Sequence, residues 1–73
     1  MITEEKFIED LKDLLEIEID ITLETDLLDI DEWDSFSAKL FLVMCKEQYG
    51  VDVEPVELAE VIFVGDLYNV VCK

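Results

Sequence analysis

The sequence has no histidine, five basic residues and two cysteines. Without histidine, the chain lacks the side chain that most often acts as a base near neutral pH, so a hydrolase-type serine would have no imidazole to activate it. Cys45 and Cys72 both stand among apolar residues, which favours inert core thiols over a disulfide. These absences argue against an enzyme and favour a protein that other proteins bind or modify.

Long apolar runs are absent as well. No run approaches the roughly 18 residues of a membrane span. Residues 1–6 lack the basic region and apolar core of a signal peptide. We therefore expect no membrane span and a cytoplasmic location. The glycines are Gly50 and Gly65, too few for a glycine-rich phosphate loop.

Acidic residues, in contrast, are abundant. Twenty acidic residues against five basic ones give a net charge of −15, which would repel nucleic acid and anionic membranes. The expected partners are therefore proteins with basic patches. A hydrophobic fraction of 52% argues against disorder despite this charge. The length of 73 residues predicts a single domain over residues 1–73, which we expect to be monomeric.

Apolar residues at helical spacing predict an all-α fold, a small four-helix bundle with three main helices and one short helix. Thr3 is expected to cap the first helix, and Gly50 to end the second. Pro55 suits the first turn of the short helix. The predicted helices are about Glu4–Glu16, Ser35–Tyr49, about Val56–Val61, and a last one from about Val64.

A long loop connects the first two helices, from about Ile17 to Asp34. Its isoleucines alternate with polar residues, but no second alternating segment follows with which a strand would pair. We expect an extended loop held to the core by some of its isoleucines. A short turn beginning at Thr25 or Asp26 would bury Leu27 and Leu28. Loops of this length are often functional.

The second helix has two apolar sides. Phe36, Leu40 and Val43 share one side, which Glu47 continues, and two interpretations of it stay open. Either the loop covers this side, or it is an exposed patch that meets a partner. The other side is expected to face the core and carries Ala38, Phe41, Leu42, Cys45 and Tyr49.

The segment at the start of this helix is Asp31-Glu32-Trp33-Asp34-Ser35-Phe36-Ser37. Asp34 or Ser35 is a suitable N-cap, because a short oxygen-bearing side chain accepts the free N–H groups of a first helical turn. A calcium loop beginning at Asp29 would need an oxygen ligand, a glycine and a glutamate at its fifth, sixth and twelfth positions. The chain has Trp33, Asp34 and Leu40 there, so no metal site is expected.

Asp34-Ser35 followed by a large apolar residue, at the head of the second of four helices, resembles the Asp-Ser-Leu motif of acyl carrier proteins and related peptidyl or D-alanyl carriers. The resemblance covers essentially the whole chain in register. It includes the length, the acidity, and the segments Glu24-Thr25-Asp26-Leu27, Tyr49-Gly50-Val51-Asp52-Val53, Pro55 and Val64-Gly65-Asp66-Leu67.

This resemblance implies that Ser35 is the attachment site of 4′-phosphopantetheine, donated from coenzyme A by a phosphopantetheinyl transferase. Asp34 would help present the serine and bind the metal-containing site of the transferase. The carrier would hold an acyl group as a thioester for acyl-activating, synthase or acyltransferase enzymes of lipid or polyketide biosynthesis. Family members also shelter short acyl chains between helices, so Phe41, Leu42 and Cys45 are candidates to line such a space.

The departures from the family pattern lie on the second helix. Phe36 stands where leucine is usual, while Lys39 and Leu40 stand where fatty-acid carriers usually have an apolar residue and a glutamate. Lys46 also replaces a typical acid. We therefore expect a specialised pathway rather than housekeeping fatty-acid synthesis. The expected partner-binding residues are Asp31, Glu32, Phe36, Lys39, Leu40, Val43, Lys46 and Glu47.

A second interpretation belongs to a different class of protein. An acidic helical inhibitor or nucleic-acid mimic would bind a basic protein surface without carrying a group. It would use the negative charge and the Phe36, Leu40 and Val43 side chains. Such a protein needs no serine at position 35, so the intact Asp34-Ser35 pair favours the carrier.

Overall fold

The computed structural model describes residues 2–72 and confirms the predicted all-α bundle. Three longer helices and a short one enclose one core. A 3₁₀ turn over Leu27–Asp29 interrupts the long loop, and a π-helical turn over Cys45–Tyr49 continues the second helix. The helices are α1 over Glu4–Leu15, α2 over Ser35–Met44, α3 over Pro55–Leu58 and α4 over Val64–Val71.

The first helix begins where its cap was predicted. The Thr3 hydroxyl accepts the Lys6 N–H at 3.2 Å, and acidic residues occupy the first turn, where the helix dipole favours them. Glu16 follows the last helical residue as the C-cap, and its φ of 56° is left-handed. The N–H of Ile17 donates to the Lys12 carbonyl at 3.1 Å, so a carbonyl in the last turn of the helix has a hydrogen-bond partner.

Three helices meet at the ring of Phe7 in α1. This ring packs edge-on against Phe41 of α2 at 6.0 Å and against Tyr68 of α4 at 5.3 Å, measured between ring centroids. Burying a phenylalanine contributes about 2–3 kcal/mol, and aromatic pairs of this geometry add to it. The side chains with no exposed surface are Phe7, Leu11, Phe41, Cys45, Val64 and Leu67.

The two cysteines are free thiols, as the sequence predicted. Cys45 is fully buried and Cys72 is half-buried. Burial raises the pKa of the Cys45 thiol to about 11, because the charged thiolate would lose its hydration. Cys45 therefore acts as a small apolar core residue.

The long loop is held to the core by its isoleucines, as predicted. Ile17, Ile21 and Ile30 are buried, while Ile19 is 54% exposed. Residues two apart share a face in a fully extended chain, so the exposure of Ile19 between two buried isoleucines shows that the loop bends there and is not a regular strand.

The turn inside this loop corrects one expectation. It begins at Asp26, as predicted, and the Asp26 carboxylate accepts the Leu28 N–H at 2.9 Å. Leu27 is buried, but the prediction that Leu28 is buried is wrong, because this side chain is 87% exposed. The 3₁₀ turn places Leu27 and Ile30, three residues apart, on its inner side and so directs Leu28 outward.

The loop also pairs with the segment that leads into α4. The Leu27 N–H donates to the Ile62 carbonyl at 2.9 Å, and the Gly65 N–H donates to the Leu23 carbonyl at 2.7 Å. The part of the loop after the alternating isoleucines therefore has a backbone partner that the sequence pattern did not reveal. These bonds fix the loop that leads to the start of α2.

The short third helix ends at Leu58, three residues before the predicted Val61. Pro55 occupies its first turn as expected. Its early end follows from the cap of α4, because the Asp66 carboxylate accepts the N–H groups of Ile62 at 2.9 Å and Phe63 at 3.0 Å. A chain that supplies both N–H groups to this cap cannot continue as helix.

Gly65→Ala tests the contact between the loop and α4. A Cβ at residue 65 would lie 2.9 Å from the Leu23 carbonyl oxygen, a backbone atom that cannot move aside freely. We expect this overpacking to lower the free energy of unfolding by about 1–3 kcal/mol in urea denaturation. Asn69→Ala, on the exposed side of the same helix, should change it by less than about 0.5 kcal/mol. Equal values for the two variants would contradict this account.

Candidate functional site

The start of α2 is fixed by Asp34. Its carboxylate accepts the Ser37 N–H at 2.9 Å, and its own carbonyl accepts the first helical bond, from Ala38 N–H at 2.9 Å. The backbone of Asp34 is extended, as an N-cap requires. Of the two candidate caps, Asp34 is therefore the cap and Ser35 is the first residue of the helix.

Ser35 is exposed at this helix terminus. Within residues 2–72, no hydrogen bond occupies its hydroxyl. The N–H groups of Ser35 and Phe36 precede the first helical bond and therefore have no carbonyl partner in the helix. The Phe36 and Ser37 N–H groups interact with the Asp34 carboxylate, which leaves the Ser35 N–H of this turn. An accessible hydroxyl at the positive end of a ten-residue helix suits an attached phosphate.

Ser37, two residues further on, has a different environment. It is buried, and its hydroxyl donates to the Glu32 carbonyl at 2.6 Å. This bond ties the first turn of α2 to the acidic segment before it. The sequence analysis assigned Ser37 no role, and the common local side-chain-to-backbone patterns do not include a bond to a carbonyl five residues earlier.

Trp33 anchors the acidic segment from the other side. Its ring packs edge-on against Phe41 at a centroid distance of 6.0 Å. The backbone N–H of Trp33 donates to the Ile30 carbonyl at 3.0 Å. With the indole half-buried, the side chains of Asp31 and Glu32 remain exposed. The predicted acidic residues therefore lie in solvent next to Ser35.

The outward side of α2 is exposed, which decides between the two interpretations left open by the sequence. Phe36 is 68% exposed, Leu40 39% and Val43 52%, so the loop does not cover them. We call these three residues the apolar patch. Its first member, Phe36, directly follows Ser35 in the same helix.

The inward side of α2 agrees with the prediction and extends it. Phe41 and Cys45 have no exposed surface, and Ala38, Leu42 and Tyr49 are half-buried. Met44 is also buried, although the sequence analysis did not include it. Because Phe41 and Cys45 are fully packed, an acyl chain sheltered between them would have to displace core side chains.

A groove of about 370 Å³ runs beside the apolar patch, between α1 and α2. On one wall, the carboxylate of Asp10 accepts bonds from Lys6 Nζ at 2.8 Å and from the Tyr49 hydroxyl at 2.6 Å. Burial alone would raise the pKa of Asp10, but these bonds and the Lys6 charge outweigh it and lower that pKa. The groove is lined by Asp10, Asp13, Leu14, Leu40, Val43, Met44, Glu47 and Gln48.

The remaining predicted partner-binding residues are also exposed. Lys39, Lys46 and Glu47 lie at the surface along α2 and the π-helical turn. Lys46 Nζ is 3.9 Å from Asp52 Oδ1, and both side chains are so exposed that this pair contributes little stability. The segment before α2, α2 itself and the π-helical turn after it therefore hold all the predicted site residues.

Comparison with known proteins identifies the family. A family model described as the phosphopantetheine attachment site matches residues 5–71. The chain belongs to this phosphopantetheine-attachment family. A search of curated proteins and a search of solved structures gave no significant match.

Membership of the phosphopantetheine-attachment family makes the chain a carrier protein that bears covalently attached 4′-phosphopantetheine. Such carrier domains are not catalytic themselves and interact with modifying and synthase enzymes. No helix within residues 2–72 is long and apolar enough to cross a membrane.

The cap of this carrier domain predicts a pH dependence of stability. The Ser37 N–H stabilises the charged form of Asp34 and lowers its pKa in the folded state. The cap therefore contributes fully above the unfolded pKa of about 3.9, and its contribution is lost as the pH falls through the lower folded pKa. Asp34→Asn keeps a capping oxygen that does not titrate. Urea denaturation should show the advantage of wild type over Asp34→Asn shrinking from about pH 6 to about pH 2.5, and a constant difference would contradict this.

The apolar patch predicts a contrast between two neighbouring residues of α2. Leu40→Glu should lower the free energy of unfolding by less than about 1 kcal/mol, because the side chain is already part-exposed. Phe41→Leu, one residue further on, should cost more than about 1 kcal/mol, because it removes buried ring atoms. Both values come from urea denaturation. A loss at Leu40 equal to that at Phe41 would place Leu40 in the core.

Proposed function

We propose that Ser35 is the residue to which 4′-phosphopantetheine is attached, with Asp34 as its motif partner. The observation that carries this proposal is the exposed hydroxyl at the first position of an Asp34-capped helix. The family of the chain is defined by such an attachment. The nearby alternative, Ser37, is buried and donates its hydroxyl to Glu32.

The surroundings of Ser35 fit the attached group. The positive end of the α2 dipole favours a phosphate there. Attachment joins the Ser35 oxygen to the phosphorus that carries pantetheine in coenzyme A. It breaks the P–O bond of the diphosphate bridge, so adenosine 3′,5′-bisphosphate leaves. The hydroxyl proton passes to a base of the transferase, since the chain has no histidine to accept it. When attached, the group supplies a terminal thiol on which cargo is held as a thioester.

We further propose that the exposed part of α2 and the acidic segment before it recognise the partner enzymes. These are a phosphopantetheinyl transferase and acyl-activating, synthase or acyltransferase enzymes, met in the cytoplasm by a single monomeric domain. A net charge of −15 supports the monomer, since copies of the chain repel one another. The proposed contact residues are Asp31, Glu32, Phe36, Lys39, Leu40, Val43, Lys46 and Glu47.

The composition of this surface supports a specialised pathway. Leu40 and Lys39 make the middle of α2 apolar and basic in a chain that is otherwise strongly acidic. A partner that recognises carriers through basic residues alone would meet Lys39 as a like charge. The partners of this chain are therefore expected to differ from those of uniformly acidic carriers.

A comparison of two serines tests the attachment site. The apo protein is incubated with coenzyme A and a broad-specificity phosphopantetheinyl transferase, and its intact mass is measured. Wild type and Ser37→Ala should each gain one phosphopantetheine, whereas Ser35→Ala should gain none. Circular dichroism would verify that Ser37→Ala remains folded after losing its bond to Glu32.

Two outcomes would contradict the proposal. Addition to Ser35→Ala would place the attachment elsewhere. No addition to wild type, under conditions that modify a control carrier, would favour the acidic interaction protein that needs no modification.

A further inference from the structure

The apolar patch has the spacing that a partner helix would match. Phe36, Leu40 and Val43 recur at i, i+4 and i+7, and span about 10 Å along α2. All three are exposed, and Leu40 and Val43 also line the groove between α1 and α2. An amphipathic helix binds such a groove through apolar anchors at the same spacing.

The two flanks of this patch carry opposite charges. At about 100° per residue, Met44 lies about 80° to one side of the Phe36 line, and Lys39 about 60° to the other. Met44 lines the groove against α1, so Lys39 lies on the flank away from α1. Lys46 lies beyond the end of α2, in the π-helical turn, and is a second exposed basic residue of this surface, although Asp52 Oδ1 is 3.9 Å from its Nζ.

The flank towards α1 is acidic. Asp13 of α1 and Glu47 line the groove and are exposed. Asp10 also lines it, but Lys6 and Tyr49 already hold its carboxylate. The free negative charge of the groove therefore comes from Asp13, on the α1 side, and from Glu47, which continues the line of the patch. Lys39 and Lys46 are two of the five basic residues of the chain.

From this arrangement we propose that the groove between α1 and α2 docks an amphipathic helix of a partner protein that has one basic and one acidic edge. The apolar anchors of this helix cover the patch. Its basic edge faces Asp13 and Glu47, and its acidic edge faces Lys39 and Lys46. Charge complementarity argues against a helix that is basic on both edges, because one edge would meet the lysines. The proposal extends the proposed function, since Phe36 adjoins Ser35, but docking itself needs no modification.

Three designed peptides test the occupant. Each is about 18 residues long, with leucines at the anchor spacing and alanines on the outer face to favour helix. One has lysines on one edge and glutamates on the other, one has lysines on both edges, and one has glutamates on both. Their dissociation constants are measured by fluorescence anisotropy at about 0.15 M salt, where long-range attraction by the net charge is screened but contact pairs persist.

The net charge of −15 alone would make the all-lysine peptide bind most tightly, whereas the proposal expects the two-signed peptide to do so. The two-signed peptide should bind about threefold or more tightly than the all-lysine peptide, as two exposed ion pairs of ordinary strength would produce. Lys39→Glu should reverse this order. Lys12→Glu makes the same charge change on α1 outside this groove and should leave the order unchanged. Binding of the two-signed peptide should shift the methyl resonances of Leu40 and Val43.

Several results would overturn the proposal. The first is that the two-signed peptide does not bind, or that the all-lysine peptide binds wild type equally or more tightly. The second is that the order of the peptides is the same in Lys39→Glu as in wild type. The third is that the methyl resonances that shift on binding belong to residues outside α2. The experiment is repeated on Ser35→Ala, which should give the same order. If the two-signed peptide binds but wild type gains no phosphopantetheine, the attachment site is disproved and the docking stands. If wild type is modified at Ser35 but the peptide does not bind, the docking is disproved and the attachment site stands.

Discussion

The hydrogen bond from the Ser37 N–H to the Asp34 carboxylate determines where α2 begins, and the candidate site depends on that position. With the helix starting at Ser35, the first serine faces solvent and the second is buried. A start one residue later would rotate the helix face by about 100° relative to the preceding chain. The cap therefore decides which hydroxyl an external enzyme can reach, and it also places Phe36 and the rest of the patch outward.

The small size of the domain explains why one helix presents apolar side chains to solvent. The inner side of α2 packs against the ring of Phe7 and against Trp33, which fills the available core. Within residues 2–72, no further layer covers the outer side of that helix. The exposed patch therefore lies beside Lys39 and Lys46, two of the few basic residues of this strongly acidic chain. Such a surface distinguishes partners by shape and by the sign of charge at each edge.

Local chemistry predicted most helix boundaries, because caps and terminators act through a few neighbouring residues. Thr3, Gly50 and Pro55 have the roles their side chains indicated. Tertiary contacts determined the rest. Leu28 is exposed because the 3₁₀ turn directs Leu27 inward, and α3 ends early because the cap of α4 takes the N–H groups before it. The bond of Ser37 to Glu32 and the pairing of the loop with the segment before α4 join residues whose proximity no periodicity reveals.

The central claim is that the serine beside the cap, and not its buried neighbour, carries the prosthetic group. Tandem mass spectrometry of the enzymatically modified wild-type protein measures this directly, because fragmentation between residues 35 and 37 separates the two serines. The account predicts that the added mass lies on Ser35. Localisation of the mass to Ser37, or to a residue outside the start of α2, would contradict it.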